Sequence, residues 1–378
     1  FVHVIITRIG HLNFTRNNIF QKPTQSYKFF WFEAILKLSL SKNCFSFNEV
    51  VDEMILNAWP LVAKFHLRLG PLINGKSKDL LEIIIGELAS QIPDSSLLSR
   101  DEIIQLIRTS GKEISKLKKA LMTYVPYRLL SPFLIEAGIT EKIWNNNRKT
   151  IDLIHEVNKH LKVPYLIVEI GKEKFVKIES SWQNFYKDEY SILLGWLQFE
   201  KSLYLQTKNP SVPGIVTKVN WENQTIRKLH NVRKLWVGVA ARNPDDFKSI
   251  YSGDKLELSS FELDHFIPWS YISNDELWNL IPVEKTLNIK KSNKLPDWDK
   301  YFEGLVQMQN LLRNSINEDE EIRKLFSICQ LENLNDQWAQ DQLYDSNLSI
   351  IEFRKKLEDN IKPIYKTASL QGFKKWNF

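Results

Sequence analysis

The sequence predicts an α+β protein that is mostly α-helical and carries two small segments of β-structure. Apolar residues recur at helical spacing through much of the 378-residue chain, which is typical of amphipathic and buried helices. Residues 163–180 instead form short alternating runs on either side of Gly171-Lys172, which predicts a two-stranded hairpin. A second strand-like run surrounds Leu263, where apolar residues adjoin an Asp-His pair.

The N-terminal half is predicted to be a series of helices. Residues 27–40 are apolar on most faces of a helix, which favours a buried position. Ser46 followed by Glu49 has the form of a capping box, and the helix that it opens ends before Pro60. Further helices are predicted at about 78–91, 99–109, 111–123, 149–161 and 182–205, with loops marked by Pro93, Pro126 and Pro132.

The breaker Asn209-Pro210-Ser211-Val212-Pro213-Gly214 predicts a domain boundary. Before it, residues 1–210 are expected to form a mainly helical domain with a small hairpin and a recognition, partner or regulatory role. After it, residues 211–300 hold a segment rich in Lys and Arg and then the Asp-His pair. Residues 301–378 are expected to be a C-terminal helical region.

Composition sets limits on the class of protein and its location. The net charge is +6, from 51 basic and 45 acidic residues, which fits a phosphate-bearing partner without requiring one. The two cysteines, Cys44 and Cys329, are too far apart in sequence for paired-cysteine zinc spacing, so we expect a reducing, cytoplasmic setting. The apolar patch near the N-terminus is too short to span a membrane, and no membrane association is expected.

The most informative motif surrounds His265. It consists of Asp264-His265, Asn279 fourteen positions after the histidine, and Asn288 with Lys291 three positions further on. This spacing resembles the HNH nuclease motif of the ββα-metal class. An Asn at the third position is also found in the HNH domain of RNA-guided CRISPR nucleases. The resemblance implies a small ββα-metal nuclease domain within residues 211–300, similar to that of uncharacterised bacterial HNH proteins of the defence or restriction type.

The resemblance also implies a role for each residue of the motif. His265 would be the general base, and Asp264 and Asn288 would be the protein ligands of one metal ion. Oxygen donors of this kind suit Mg²⁺ or Mn²⁺. Asn279 would brace the loop before the helix, and Lys291 would contact a substrate phosphate. The paired cysteines that flank many bacterial HNH motifs are absent, so the hairpin must be held by packing.

Basic residues around the motif are candidates for nucleic-acid contacts. One group precedes the motif and is interleaved with Trp221 and Trp236, and another lies on or beside the helix of the motif. The alternative interpretation is a solvated helix whose tryptophans face the core. The candidates are Lys218, Arg227, Lys228, Arg233, Lys234, Lys285, Lys290 and Lys294.

These observations predict a metal-dependent endonuclease that hydrolyses phosphodiester bonds in DNA. By family association it would be the effector of a prokaryotic defence or restriction system, with a partner protein or guide complex. It could also form a homo-oligomer, because a single HNH centre cuts one strand at each encounter. Two alternatives are an RNase or nuclease toxin on the same site and a nonenzymatic binding subunit with a relic motif.

Overall fold

The chain separates into two units, Phe1–Pro210 and Ser211–Phe378. The computed structural model describes residues 19–20, 25–139, 147–223, 229–332 and 337–378. Helices dominate both units and the sheets are small, which confirms the prediction of a mostly helical α+β protein. Within the described residues, no helix combines the length and apolarity that crossing a membrane would require.

The first unit is built mainly from helices. In chain order they are α1 Tyr27–Ser39, α2 Phe47–Trp59, α3 Leu80–Ala89, α4 Arg100–Arg108, α5 Lys112–Arg128, α6 Ser131–Glu136, α7 Asn147–Asn158, α8 Ser180–Asp188 and α9 Tyr190–Lys208. A π-helical turn, Pro60–Lys64, follows α2 directly. Its strands are β1 Cys44–Ser46, β2 Leu72–Ile73, β3 Lys76–Ser77, β4 Leu166–Ile170 and β5 Glu173–Lys177.

Helix α1 lies at the centre of this unit, because its side chains are buried on nearly every face. Helix α2 begins with the expected capping box, in which Ser46 and Glu49 each bond to the other's backbone N–H. The loop expected at Pro126 is wrong, since α5 continues through it to Arg128. Val125 and Tyr127 on either side of Pro126 are buried, so tertiary packing keeps this turn helical despite the proline.

The predicted hairpin is present and belongs to a three-stranded sheet. Strands β4 and β5 pair antiparallel around the turn at Gly171, whose φ of 65° suits glycine. Strand β1 pairs antiparallel with the other edge of β5, which gives the order β1-β5-β4. The sequence did not indicate this third strand, because β1 is only three residues long.

The second unit contains the motif and the helices that follow it. Its helices are α10 Ile215–Val219, α11 His230–Arg242, α12 Trp269–Ile272, α13 Lys285–Lys291, α14 Trp298–Glu318, α15 Glu320–Leu331, α16 Gln337–Gln342 and α17 Ile350–Leu370. Its strands are β6 Phe261–His265, β7 Leu280–Glu284, β8 Leu295–Pro296 and β9 Lys375–Trp376. Residues 301–378, expected as a separate helical region, belong to this same unit.

Strands β6 and β7 form an antiparallel pair that leads directly into α13. Their register runs from Phe261 opposite Glu284 to His265 opposite Leu280. Helix α14 supports this pair through Gln309, whose buried Nε2 donates to the carbonyls of Leu277 at 2.9 Å and Leu280 at 3.3 Å. The start of β7 is therefore bonded to a long helix. A two-stranded sheet needs such support, because it is only marginally stable by itself.

The last residues of the chain pack against the motif region. Strand β9 pairs in parallel with β8, with Lys375 opposite Leu295. The ring of Trp376 meets Tyr251 edge-on at a centroid distance of 4.9 Å and stacks near Tyr301 at 5.8 Å. Residues far apart in the sequence of this unit thus form one aromatic cluster, worth about 0.5–1.5 kcal/mol per ring pair beyond area burial.

Candidate active site

Asp264 lies near the end of β6 and is held by two donors. Its Oδ2 accepts a hydrogen bond from the Tyr251 hydroxyl at 2.6 Å, and its Oδ1 accepts one from Lys291 Nζ at 3.0 Å. Burial raises the pKa of Tyr251 well above its ordinary value, and the Asp264 charge adds to this shift. Tyr251 is therefore protonated at neutral pH, and one neutral and one charged donor fix the Asp264 carboxylate.

His265 is the last residue of β6, and its ring is oriented by an aspartate from the next loop. Its Nε2 lies 2.8 Å from Oδ1 of Asp275, which follows α12. A carboxylate beside one ring nitrogen favours the hydrogen on that nitrogen. In the neutral ring, Nδ1 then carries the lone pair, which is the form that a general base requires.

Asn279 closes the loop between β6 and β7. It is fully buried, its Oδ1 accepts from the Ile267 N–H at 2.7 Å, and its Nδ2 donates to the Ile267 carbonyl at 2.9 Å. Its own carbonyl accepts from the Phe266 N–H at 2.9 Å. One residue thus satisfies three backbone groups just after His265, at the point where the chain leaves β6.

Asn288 and Lys291 share a face of α13 that is turned toward β6. Asn288 Nδ2 donates to Oε2 of Glu262 at 3.1 Å, while Lys291 contacts Asp264. Glu262 and Asp264 are two residues apart on the strand, so their side chains lie on one face of the sheet. The two residues expected to hold a metal ion, Asp264 and Asn288, are thereby brought to the same face, with Glu262 beside them.

Lys291 occupies a different position from the one expected. Its side chain is fully buried, and Nζ donates to Asp264 Oδ1 and to the His265 carbonyl at 2.7 Å. Burial lowers the pKa of Lys291, and the Asp264 carboxylate opposes that shift. The expected phosphate contact does not fit this placement, because an ammonium enclosed by protein cannot meet a substrate at the surface.

The chemistry of the donor set can be compared with the needs of a metal ion. Among the residues that the structure describes, no three His, Cys, Asp or Glu side chains cluster closely enough to hold one. Asp264 and Asn288 supply oxygen donors, and a carboxylate has about four acceptor positions, of which Asp264 uses two. Glu262 adds a second carboxylate beside them, with its Oε1 3.9 Å from Lys285 Nζ. The set fits a hard divalent cation that takes its remaining ligands from water or phosphate.

Two of the basic residues expected to contact nucleic acid are engaged inside the protein. Lys218 is fully buried and its Nζ donates to the carbonyls of Pro213 and Tyr271 and to the Ser273 hydroxyl. Burial lowers the pKa of Lys218 to about 7, which further weakens it as a phosphate ligand. The expectation for Lys218 is therefore wrong: it braces the segment after the domain boundary.

The side chain of Arg233 likewise makes its contacts within the protein. Its guanidinium lies 4.3 Å from the centroid of the Phe261 ring and donates to the Phe261 carbonyl. Lys234, Lys285 and Lys290 are exposed and Lys294 is half-buried; Lys285 Nζ lies 3.9 Å from Glu262, and Lys294 Nζ donates to the Lys290 carbonyl. Arg227 and Lys228 lie outside the described residues.

Three residues of the candidate site are not part of the motif that the sequence shows. Glu262 could have been found, because it precedes Asp264 by two positions on a predicted strand and must share its face. Tyr251 and Asp275 had no such signal. Each lies in an irregular segment, and only the folded chain brings Tyr251 to Asp264 and Asp275 to His265.

The geometry predicts that Asn279→Ala destabilises the second unit. The substitution leaves the buried N–H and carbonyl of Ile267 without partners, at about 1–3 kcal/mol for each group. The measurement is the denaturant midpoint of that unit's unfolding transition. Asn220→Ala is the matched control, since its amide makes one exposed bond to the Val216 carbonyl. Equal midpoints for the two variants would refute the bracing role of Asn279.

Comparison with known proteins supports a nuclease in this segment. A family profile described as HNH endonuclease matches residues 249–297, which include Tyr251, β6, Asp275, β7 and α13. No curated protein and no solved structure matches the chain. The family match thus covers the candidate active site, while the rest of the chain has no counterpart in these comparisons.

Proposed function

We propose that the protein is a metal-dependent endonuclease that hydrolyses phosphodiester bonds in DNA. The observation that carries this proposal is the His265–Asp275 contact at the end of β6, next to the Asp264 carboxylate. It combines an oriented imidazole with oxygen donors inside the segment that matches an HNH endonuclease. A carboxylate partner also occurs beside structural histidines, so the catalytic interpretation draws on the family match as well.

In the proposed reaction, His265 takes the proton of the attacking water. Asp275 accepts the hydrogen of Nε2 and stabilises the positive charge that the ring acquires when Nδ1 is protonated. The backbone around the ring is fixed as well, because Lys291 Nζ bonds to the His265 carbonyl. The imidazole therefore reaches the reaction in its working orientation without a rearrangement.

Asp264 and Asn288 would hold the metal ion, with Mg²⁺ or Mn²⁺ preferred for their oxygen donors. When bound, such an ion stabilises the charge of the phosphate and of the leaving oxygen. Tyr251 and Lys291 keep the Asp264 carboxylate in one rotamer. Lys291 meets the charge of Asp264, and the exposed Lys285 lies 3.9 Å from Glu262, so a bound dication would compete with Lys285 for the Glu262 carboxylate.

We further propose DNA as the substrate and prokaryotic defence as the setting. The support is the family resemblance, and the exposed residues Lys234, Lys285 and Lys290 suit a polyanion. In such a system the first unit would be the part that recognises a target, a partner or a guide complex. The presence of two compact units in the chain is consistent with two such roles.

The first test of the proposed function is His265→Ala. Removal of the general base should lower cleavage of a supercoiled plasmid by about 100- to 10,000-fold. The measurement is the initial rate of plasmid nicking with Mg²⁺, with total RNA digested in parallel. His230→Ala, an exposed histidine at the start of α11, should cleave at the wild-type rate.

Two results would contradict this proposal in different ways. Equal rates for His265→Ala and wild type would mean that this site does not catalyse cleavage. Digestion of RNA with the plasmid left intact would exclude DNA as the substrate. The assignment of the active site would then still hold.

The second prediction concerns Asp275. Asp275→Asn keeps an acceptor for Nε2 but removes the charge that stabilises the protonated ring, so the rate should fall by about 10- to 100-fold. The loss should appear in kcat, with KM little changed, because Asp275 acts through His265. Asp245→Asn, an exposed carboxylate in the same unit, is the control. A KM effect without a kcat effect would assign Asp275 to substrate binding instead.

The third prediction concerns the metal ion. EDTA should abolish cleavage, and Mg²⁺ or Mn²⁺ should restore it. Asn288→Ala should weaken Mn²⁺ binding about tenfold or more, measured by electron paramagnetic resonance of the free ion, because an oxygen donor is lost. Asn220→Ala should bind Mn²⁺ like the wild type. Cleavage that persists in EDTA, or unchanged Mn²⁺ binding by Asn288→Ala, would contradict the assignment of this ion site.

A further inference from the structure

We propose that Lys374 and Lys375, together with Lys290, form a surface that binds the phosphate backbone of the substrate. We call these three residues the tail lysine surface. The inference rests on the proposed function and adds a second, distant segment of the chain to substrate binding. Lys290 belongs to the helix of the motif, whereas Lys374 and Lys375 lie far beyond the motif in the sequence.

The segment that carries Lys374 and Lys375 is anchored by its backbone. The Leu295 N–H donates to the Lys374 carbonyl at 2.9 Å, and the Asp297 N–H donates to the Trp376 carbonyl at 2.8 Å. Trp376 is 9% exposed and packs on Tyr251, while Phe373 is buried against Tyr271. The two exposed lysines between these buried rings therefore lie in an anchored segment, Lys375 in β9 and Lys374 just before it.

This strand lies beside the helix of the candidate active site. Lys290 Nζ is 5.6 Å from the centroid of the Phe378 ring, so the end of α13 and the end of the chain meet. Lys290 is adjacent to Lys291, the residue that holds Asp264. Trp376, next to Lys375, packs on Tyr251, whose hydroxyl binds Asp264, so we expect this surface to meet the flanking phosphates of a strand held at the candidate site.

The charge of the tail lysine surface is not cancelled by the protein. In the part of the chain that the structure describes, Lys290, Lys374 and Lys375 make no ion pair. Elsewhere in this unit, lysines such as Lys324 and Lys362 pair with glutamates four residues away. The carboxylate nearest in sequence to β8, Asp297, caps α14 by accepting from the Lys300 N–H.

A nucleic-acid backbone suits this arrangement better than an acidic protein does. The three ammonium groups come from the end of α13, from β9 and from the residue before it, and in the described part of the chain they form no ion pair or hydrogen bond. Ammonium groups displayed in this way neutralise evenly spaced phosphates and release counterions. They add affinity and orientation but no sequence preference.

The test measures DNA binding without cleavage. The His265→Ala protein is titrated with a fluorescent duplex at several salt concentrations, with and without Lys374→Gln and Lys375→Gln together. Loss of two phosphate contacts should weaken binding and should reduce the slope of log K against log salt by about 1.8, at about 0.9 for each contact. Mn²⁺ binding should not change, because neither lysine touches Asp264 or Asn288.

The control is the pair Lys324→Gln and Lys355→Gln, which removes the same charge from exposed lysines on α15 and α17. It should leave the slope unchanged, and both double variants should unfold at the same midpoint. Equal slopes for the two double variants, with DNA still bound, would overturn the tail lysine surface and leave the proposed nuclease intact. A failure of the parent His265→Ala protein to bind DNA would overturn both.

Discussion

The buried ion pair between Lys291 and Asp264 is the interaction on which the rest of the candidate site depends. An ammonium with no solvent exposure needs an anion and further acceptors, and here these are Asp264 and the His265 carbonyl. Loss of either partner would leave a charge stranded in the interior, at about 3–5 kcal/mol. The pair therefore admits one arrangement of α13 on β6, and that arrangement brings Asn288 to Glu262 and sets the direction of His265.

Around this pair, hydrogen bonds between uncharged groups stabilise the segments that a two-stranded sheet alone does not fix. Where β6 ends, the Asn279 side chain bonds to the backbone of Ile267 in place of a neighbouring strand. Gln309 on α14 bonds to the backbone at the start of β7. Tyr251 joins the Asp264 carboxylate to the aromatic cluster of Trp376 and Tyr301. A hairpin without a zinc staple is thus stabilised by contacts from helices and from the last residues of the chain.

The lysines of the second unit divide into two classes with opposite roles. Lys218 and Lys291 are enclosed and satisfy backbone and carboxylate oxygens, so they specify the fold. Lys290, Lys374 and Lys375 keep their charge at the surface, where a polyanion can neutralise it. Lysine can serve in both classes because its long apolar stem packs against other apolar groups. Its ammonium then lies either beside a buried acceptor or in solvent.

The sequence by itself determined most of the helices, the hairpin around Gly171 and the spacing of the motif from Asp264 to Lys291. These follow from local signals: the capping box of Ser46 and Glu49, apolar periodicity, and the spacing from Asp264 to Lys291. The direction of each side chain was decided only by the tertiary structure. Asp275 reaches His265, Tyr251 reaches Asp264, and Lys291 faces inward instead of toward substrate. Such contacts join irregular segments or depend on burial, and burial is set by the whole fold rather than by neighbours in sequence.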